Sequence, residues 1–284
     1  MRWTLLTREL LDPLIRFLGP VEAGCVGFTE TLLSNGSLQV PPRTEAAVHV
    51  RIERAGDISG AILQTVGGVF YPVTSPVRPQ IEREALESIR RRGRRVYSVM
   101  GKEDDVTALE RALGRAPEQA VDYAHMVQRE VARDYPLPRL PERFTMRGAT
   151  VSDTNHLFDI QRQYEIEEVL LPGSTFDAAA TRRHLRETLL RQIVLVAEID
   201  GTPVAKAGTN ARGLFYDQIG GVFTEPELRS RGISTKLMTR LLARIAADNK
   251  SASLFVKWEN EPALRVYRNL GFGVEGGFRI SYYR

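Results

Sequence analysis

Apolar and polar residues follow the same succession of patterns in both halves of the chain. Alternation at every second position predicts strands, and recurrence at three- and four-residue spacing predicts helices. In the first half the pattern predicts one or two helices over 3–34, broken near Gly19-Pro20. The elements predicted after them are strands at 46–54, 60–66, 67–73, 95–100 and 120–128 and helices at 79–92 and 103–113.

The second half repeats this order with a clearer helical period. Its predicted strands lie at 144–149, 192–199, 203–211, 214–224, 252–257 and 272–283, and its predicted helices at 152–169, 177–191, 231–248 and 261–270. The helix at 231–248 has the strongest apolar stripe, formed by Ile233, Leu237, Met238, Leu241, Leu242 and Ile245. Such a stripe predicts one buried face.

Short identical sequences in the two halves support an internal duplication. Gly-Gly-Val-Phe ends the third predicted strand of the first half at 67–70 and ends its counterpart at 220–223. Leu-Gly closes equivalent helices at 113–114 and 270–271. Together with the repeated order of elements, these matches favour two copies of one fold.

The boundary between the copies is predicted where prolines accumulate. Three prolines within 135–141 exclude a continuous helix there. The sequence therefore predicts a domain at 1–134, a proline-rich linker at 135–143 and a second domain at 144–284.

The amino-acid composition excludes several classes of protein but does not indicate a reaction. The 284 residues are 43% hydrophobic and 26% charged, as in ordinary globular chains. No apolar run is long enough for a membrane-spanning helix, and the single Cys25 is compatible with a reducing cytoplasm. The formal charge of +4 is too small to indicate a nucleic-acid partner. The four histidines have no metal-ligand spacing, so no metal is predicted.

A short polar loop between a predicted strand and a predicted helix is the first candidate for chemistry. It contains Arg229, Arg231 and Gly232 and is followed by the hydroxyl residues Ser234 and Thr235. Free backbone N–H groups at a helix N-terminus form an anion site, and glycine lets a phosphate approach the backbone closely. Taken alone, the loop is equally compatible with an ordinary turn that carries surface arginines.

The segment that follows the predicted helix at 231–248 favours the anion site over the ordinary turn. It reads as a strand, a capping Asn260, a helix that contains Ala263 and Tyr267, and the exit Gly271-Phe272. The pattern Arg229-x-x-Gly232-x-Ser followed by this segment resembles the GNAT superfamily of acyl-CoA-dependent N-acetyltransferases, with Ser in place of the family's last small residue. The resemblance covers about 144–284. It implies an α+β fold of two tandem GNAT-like domains, each with a mixed, mostly antiparallel sheet flanked by helices.

The resemblance implies a binding role for two backbone segments and one side chain. The diphosphate of coenzyme A is expected on the backbone of Arg229, Ser230, Arg231, Gly232, Ile233 and Ser234, with Thr235 as a further donor. The pantetheine arm is expected to pair with the backbone of Val222, Phe223 and Thr224, where one N–H would polarise the thioester carbonyl. Asn260 would contact the pantetheine, although it is also a helix cap.

The resemblance also implies the groups that move protons. Tyr267 would protonate the departing thiolate, or it is simply a half-buried aromatic residue. The general base remains open between Asp217, on the strand that leads into the site, and Glu168 or Glu167 at the end of the first helix of this half. Gln218 is the alternative to Asp217 on the same strand.

The first half is predicted to be a degenerate copy that shapes the acceptor cleft or the assembly. It has no Arg-x-x-Gly-x-small loop after 67–70, and Pro76 and Pro79 remove backbone donors there. Glu110 stands where Tyr267 stands in the second half. The arginine-rich run 90–95 is interpreted as the C-terminal end of a helix.

The sequence therefore predicts a cytoplasmic acetyltransferase with one site, in which acetyl-CoA is the co-substrate and no metal takes part. The acceptor would be a primary amine on a small molecule or a peptide, and no membrane partner is predicted. A homodimer is compatible with the sequence. The alternative is a non-catalytic acyl-CoA sensor or assembly module, which would keep the loop and not require Tyr267.

Overall fold

The structure is a computed structural model that describes residues 2–34, 36–54, 56–75, 80–90, 95–129 and 143–283. The predicted linker at 135–143 therefore lies outside the described residues, except for Arg143. The same holds for 91–94 of the arginine-rich run and for Pro76 and Pro79.

The described residues form 14 strands and 8 α-helices. The strands are β1 (Arg2–Leu5), β2 (Leu33–Ser34), β3 (Ser37–Leu38), β4 (Ala46–Ile52), β5 (Ile58–Thr65), β6 (Val69–Thr74), β7 (Ser98–Lys102), β8 (Gln119–Gln128), β9 (Phe144–Gly148), β10 (Val194–Ile199), β11 (Thr202–Arg212), β12 (Tyr216–Thr224), β13 (Ser251–Lys257) and β14 (Phe272–Tyr282). The helices are α1 (Leu11–Leu18), α2 (Val26–Thr31), α3 (Arg83–Arg90), α4 (Glu103–Leu113), α5 (Phe158–Tyr164), α6 (Ala178–Arg191), α7 (Ile233–Ala247) and α8 (Glu261–Asn269).

Two predicted helices differ from the structure. The N-terminal segment begins with β1, which pairs antiparallel with β4, so the predicted helix over 3–34 is wrong in its first residues. The predicted helix at 152–169 is divided into a 3-10 turn, α5 and a π-helical turn at Glu165–Val169. π-helical turns are rare and frequently occur at functional sites.

One continuous sheet of 12 strands joins the two halves. Its order is β1-β4-β5-β6-β7-β14-β8-β13-β12-β11-β10-β9. Thus β14, from the end of the second half, lies between β7 and β8 of the first half, and β8 pairs with β13 of the second half. The first half therefore receives β14 from the second half, and the second half receives β8 from the first half. The sequence pattern did not predict this exchange.

Each half contains one pair of parallel strands that separates after a few residues. In the second half β12 and β13 pair only from Tyr216–Ser251 to Ile219–Leu254. In the first half β6 and β7 pair only at Val69–Ser98 and Phe70–Val99. Beyond these points the facing edges have no strand partner among the described residues. We call the gap between residues 220–224 of β12 and residues 255–257 of β13 the slot.

The repeated Gly-Gly-Val-Phe sequence does not mark equivalent positions. Gly68 lies in the turn before β6, whereas Gly221 lies inside β12 just after the strands separate. The interpretation of both as the end of a third strand is therefore wrong for the first half. The duplication is seen instead in the matching pairs of diverging parallel strands.

Alternation along the strands sends their side chains to two different helical layers. In β10, Leu195 and Ala197 pack with α7 and α8, whereas Val194 and Val196 pack with α5 and α6. The apolar stripe of α7 is buried as the periodicity predicts. Among the described residues, no helix is both long and apolar enough to cross a membrane.

A buried carboxylate from the first half fixes the turn between β11 and β12. Glu22 is completely buried, and its oxygens accept hydrogen bonds from the backbone N–H of Leu214 at 2.6 Å and of Phe215 at 2.7 Å. The Thr29 hydroxyl donates to the same carboxylate at 2.6 Å. Since β12 carries one edge of the slot, this contact couples the first half to the position of the slot.

Replacing Glu22 with alanine is expected to lower the free energy of unfolding by about 3 kcal/mol, because two backbone N–H groups lose a charged acceptor. Urea unfolding measures this change. Glu45→Ala is the control, since Glu45 is exposed. Equal urea midpoints for the two variants would contradict the assigned role of Glu22.

Candidate functional site

The loop before α7 adopts a conformation that leaves its backbone N–H groups open. Ser230 has φ +63°, and Gly232, which immediately precedes α7, has φ +75°. No side chain caps this end of the helix. Across the described residues, no hydrogen-bond acceptor meets the backbone N–H groups of 230–235. These N–H groups and the helix dipole make the loop suited to bind a diphosphate.

The side chain of Arg229 holds the loop against neighbouring elements. Its Nε donates to the Thr224 carbonyl at 3.0 Å, and its guanidinium forms an ion pair of 2.6 Å with Glu167. The guanidinium also lies 5.3 Å from the centre of the Phe223 ring. Arg229 thus supports the loop through its side chain, and the ion pair engages Glu167, one of the alternative bases.

A β-bulge interrupts β12 where it borders the slot. The register with β11 shifts between the pairs Lys206–Phe223 and Gly208–Gly220. The bulge contains Gly221 at φ +62°, a conformation that disfavours residues with a Cβ. Val222, Phe223 and Thr224 follow directly, so the predicted pantetheine-binding backbone lies along the slot.

Two side chains contact the two successive peptides that meet at Gly221. The Lys206 Nζ donates to the Gly221 carbonyl at 2.9 Å and lies 4.2 Å from the centre of the Tyr164 ring. Burial raises the pKa of Tyr164 to about 12, and the Gly221 backbone N–H acts in the opposite direction on the same hydroxyl. Burial lowers the pKa of Lys206 to about 7, against the attraction of Glu165.

Tyr267 lies within electrostatic range of Glu168. Burial raises the pKa of Tyr267 above its usual range, and Tyr164 and the Glu168 carboxylate raise it further, so the hydroxyl keeps its proton at neutral pH. Glu168 forms an ion pair of 3.4 Å with Lys257, at the end of β13. Tyr267, on α8, and Glu168, on the π-helical turn, therefore belong to one cluster that also includes Tyr164.

The first half contributes Tyr123 to this cluster. Tyr123 lies on β8 directly opposite Lys257, and its ring contacts Phe255 edge-on at 5.2 Å between centres. Burial raises its pKa above the usual range, with smaller contributions from charged neighbours that include Glu168. The strand exchange thus places a first-half aromatic side chain within electrostatic range of the candidate base.

Asn260 takes the capping role that its position allows. Its Oδ1 accepts a hydrogen bond from the Ala263 N–H at 3.2 Å at the start of α8. The cap uses the carbonyl oxygen and leaves the amide NH₂ as a donor. Contact between Asn260 and pantetheine remains a prediction.

Asp217 lies apart from the cluster. It is fully buried near the start of β12, where Arg212 contacts it at 3.2 Å and Lys250 at 3.0 Å. Its carboxylate is paired with both of these cationic side chains, at the end of β12 that is remote from the slot. Asp217 is fully buried and remote from the slot, whereas Glu168 is partly exposed and pairs with Lys257 beside the slot, so the geometry favours Glu168 over Asp217 as the base. Gln218, which follows it, is buried within the paired part of β12.

The corresponding gap of the first half is occupied by its own side chain. Asp105, in the first turn of α4, accepts a hydrogen bond from the Thr74 backbone N–H at 2.8 Å on the free edge of β6. The Thr74 hydroxyl donates to the same oxygen. Glu110, the counterpart of Tyr267, faces Arg279 of the exchanged β14 at 3.6 Å. That the first half is a degenerate copy stays a prediction.

Sequence reasoning missed Lys206, Tyr164 and Tyr123. A signal for Lys206 exists, because it is a charged residue between Ala205 and Ala207 in the otherwise apolar run 203–208. Tyr123 has no local signal, since its role depends on the partner of β8.

Comparison with known proteins agrees with the geometry. The profile of the acetyltransferase (GNAT) family matches residues 157–272. No curated protein sequence matches the chain. A Drosophila protein of known structure is similar, with 12% identity, a TM-score of 0.68 and coverage of 99% of this chain and 98% of that one.

Two further solved structures have the same arrangement. A tandem GNAT protein from the clavulanic acid biosynthesis pathway shares 13% identity at a TM-score of 0.59, over 99% of this chain and 98% of that one. A GNAT-family acetyltransferase from Colwellia psychrerythraea shares 10% identity at a TM-score of 0.53, over the full length of both. At these identities the likeness concerns the fold alone. Residues 157–272 of this chain therefore resemble the acetyltransferase (GNAT) family, and the chain as a whole has the tandem GNAT fold.

Proposed function

We propose that this protein transfers an acetyl group from acetyl-CoA to a primary amine at the slot. The observation that carries the proposal is the slot itself, an unpaired strand edge that leads to a helix N-terminus with open N–H groups. An extended pantetheine arm can pair with such an edge, and a diphosphate can bind such a helix end. The loop 229–235 and the backbone of Val222, Phe223 and Thr224 would hold acetyl-CoA.

Glu168 and Tyr267 supply the two proton transfers that the reaction requires. Glu168 takes a proton from the attacking amine, directly or through water, while the new C–N bond forms. The C–S bond of the thioester then breaks, and Tyr267 gives its proton to the leaving thiolate. A backbone N–H of the bulge stabilises the negative oxygen in between. Protons balance when Tyr267 recovers one from solvent or, through water, from Glu168.

Tyr123 and Lys257 would form the wall of the acceptor cleft next to Glu168. Lys257 lies on β13, which borders the slot, and Tyr123 lies opposite Lys257 on β8, which comes from the first half. The identity of the amine and the cytoplasmic location remain predictions.

The general experiment is to measure acetyl-CoA consumption with a panel of amines such as putrescine, 2-phenylethylamine and a lysine-containing peptide. Coenzyme A binding without turnover for any amine would favour an acyl-CoA sensor.

Gly232→Val is expected to weaken coenzyme A binding by at least about tenfold. A branched side chain at φ +75° costs roughly 1–2 kcal/mol or more, and the loop must move to relieve it. Calorimetry with coenzyme A measures the change. Gly114→Val is the matched control, because Gly114 also has positive φ but lies in open space at the end of α4. Wild-type affinity in Gly232→Val would rule out the loop as the diphosphate site.

Tyr267→Phe is expected to reduce kcat by about 100-fold and to leave coenzyme A affinity unchanged, since only the proton donor is lost. Steady-state kinetics and calorimetry separate these two effects. Tyr71→Phe serves as the control, because Tyr71 lies in the first half, where burial raises its pKa to about 12. Full kcat in Tyr267→Phe would exclude the hydroxyl as the acid.

Glu168→Gln is expected to reduce kcat/KM for the amine by about 100-fold, because the amide cannot accept the amine proton. Steady-state kinetics with the amine as the varied substrate measures the change. Glu187→Gln, on the exposed face of α6, is the control. Wild-type kcat/KM in Glu168→Gln would require another base.

A further inference from the structure

Lys206 is a buried cation without a carboxylate in contact. Its neighbours Ala205 and Ala207 pack with α7, so Lys206 faces α5 on the other side of the sheet. Within the described part of the chain, no acid lies at ion-pair distance from its Nζ. Burying an ammonium group in this way is costly, which indicates that its charge serves a purpose other than stability.

The groups around Lys206 leave the Gly221 carbonyl as its hydrogen-bond partner. On β10 it faces Val196, and on β12 it faces Phe223, neither of which titrates. From α5 and the π-helical turn come Tyr164 and Glu165. The oxygens of Glu165 accept hydrogen bonds from two other side chains, those of Gln161 and Thr181.

The peptide that Lys206 holds has its N–H on the opposite side. A trans peptide is planar, so its C=O and N–H point in opposite directions. The Gly221 carbonyl points to Lys206, and the N–H of the same peptide belongs to Val222. This N–H therefore points away from Lys206. A cation on the carbonyl also polarises the peptide and makes its N–H a stronger donor.

We propose that Lys206 is a positioning residue for acyl transfer, which acts through the 221–222 peptide to orient the Val222 N–H and to strengthen it as a donor to the acyl oxygen. The inference rests on the proposed function, because it assigns a task within the same slot. It adds a charge from β11 to a site that is otherwise built from backbone, Tyr267 and Glu168.

The protonation of Lys206 gives the inference a measurable signature. Because burial lowers its pKa to about 7, the ammonium form dominates at pH 6 and the neutral amine at pH 8.5. The neutral amine can still donate to the carbonyl, but it no longer polarises the peptide by charge. The contribution of Lys206 to the rate of acyl transfer should therefore be large at pH 6 and small at pH 8.5.

The test is the ratio of wild-type kcat to Lys206→Met kcat, measured across this pH range with acetyl-CoA and the best amine of the panel. Taking the ratio cancels every other titration that the two proteins share. We expect a ratio of roughly 30 at pH 6 that falls below about 5 at pH 8.5. Coenzyme A affinity should stay within about twofold, since the effect is on the transition state. Lys102→Met is the control, because Lys102 is a half-buried lysine of the first half.

Should Lys206→Met fail to fold, Lys206→Gln provides the same comparison, because it keeps a donor for the carbonyl and removes the charge. A ratio near one, a ratio that does not change with pH, or a large loss of coenzyme A affinity would each overturn the inference while wild-type turnover stands. Absence of both turnover and coenzyme A binding in the wild type would instead overturn the proposed function and, with it, the role of Lys206.

Discussion

The separation of β12 from β13 is the constraint on which the rest of the site depends. Paired strands satisfy their backbone groups with each other, so a sheet tends to stay closed along its length. Here pairing stops after Ile219, and the open edge has to be held apart by other contacts. The bulge at Gly221 bends one strand, Lys206 holds the carbonyl of Gly221, and Arg229 fixes the loop that follows.

The two halves differ in how the backbone N–H groups next to the gap between the parallel strands are satisfied. In the first half Asp105 reaches across the gap and bonds the Thr74 N–H, so the edge is satisfied within the chain. In the second half Pro262 stands where Asp105 would correspond by distance from the helix end, and the N–H groups of the loop stay open. The carboxylate of Asp105 at the start of α4 is thus one difference between the two gaps, and the loop 229–235 is another.

The sequence predicts those parts of the site whose residues lie close together along the chain. The loop 229–235, the cap at Asn260 and the position of Tyr267 depend on local spacing along one helix or turn, and the structure has those elements. Tyr123 and Lys206 depend on which strands become neighbours. β8 and β14 have similar alternating patterns, and nothing in that alternation says whether each pairs within its own half. The ion pair of Asp217 with Lys250 likewise joins residues that are distant in sequence.

The exchange of strands also explains why a copy without an open slot would be kept. In the sheet, the neighbour of β13 on the side away from β12 is β8, so the second half alone would present β13 with a bare edge. Bare edges invite pairing with other chains, and a foreign strand there would displace Tyr123 from Glu168. The buried Glu22 adds a second dependence, since it fixes the turn that leads into β12. The first half is therefore part of the site's architecture, through a strand and a carboxylate.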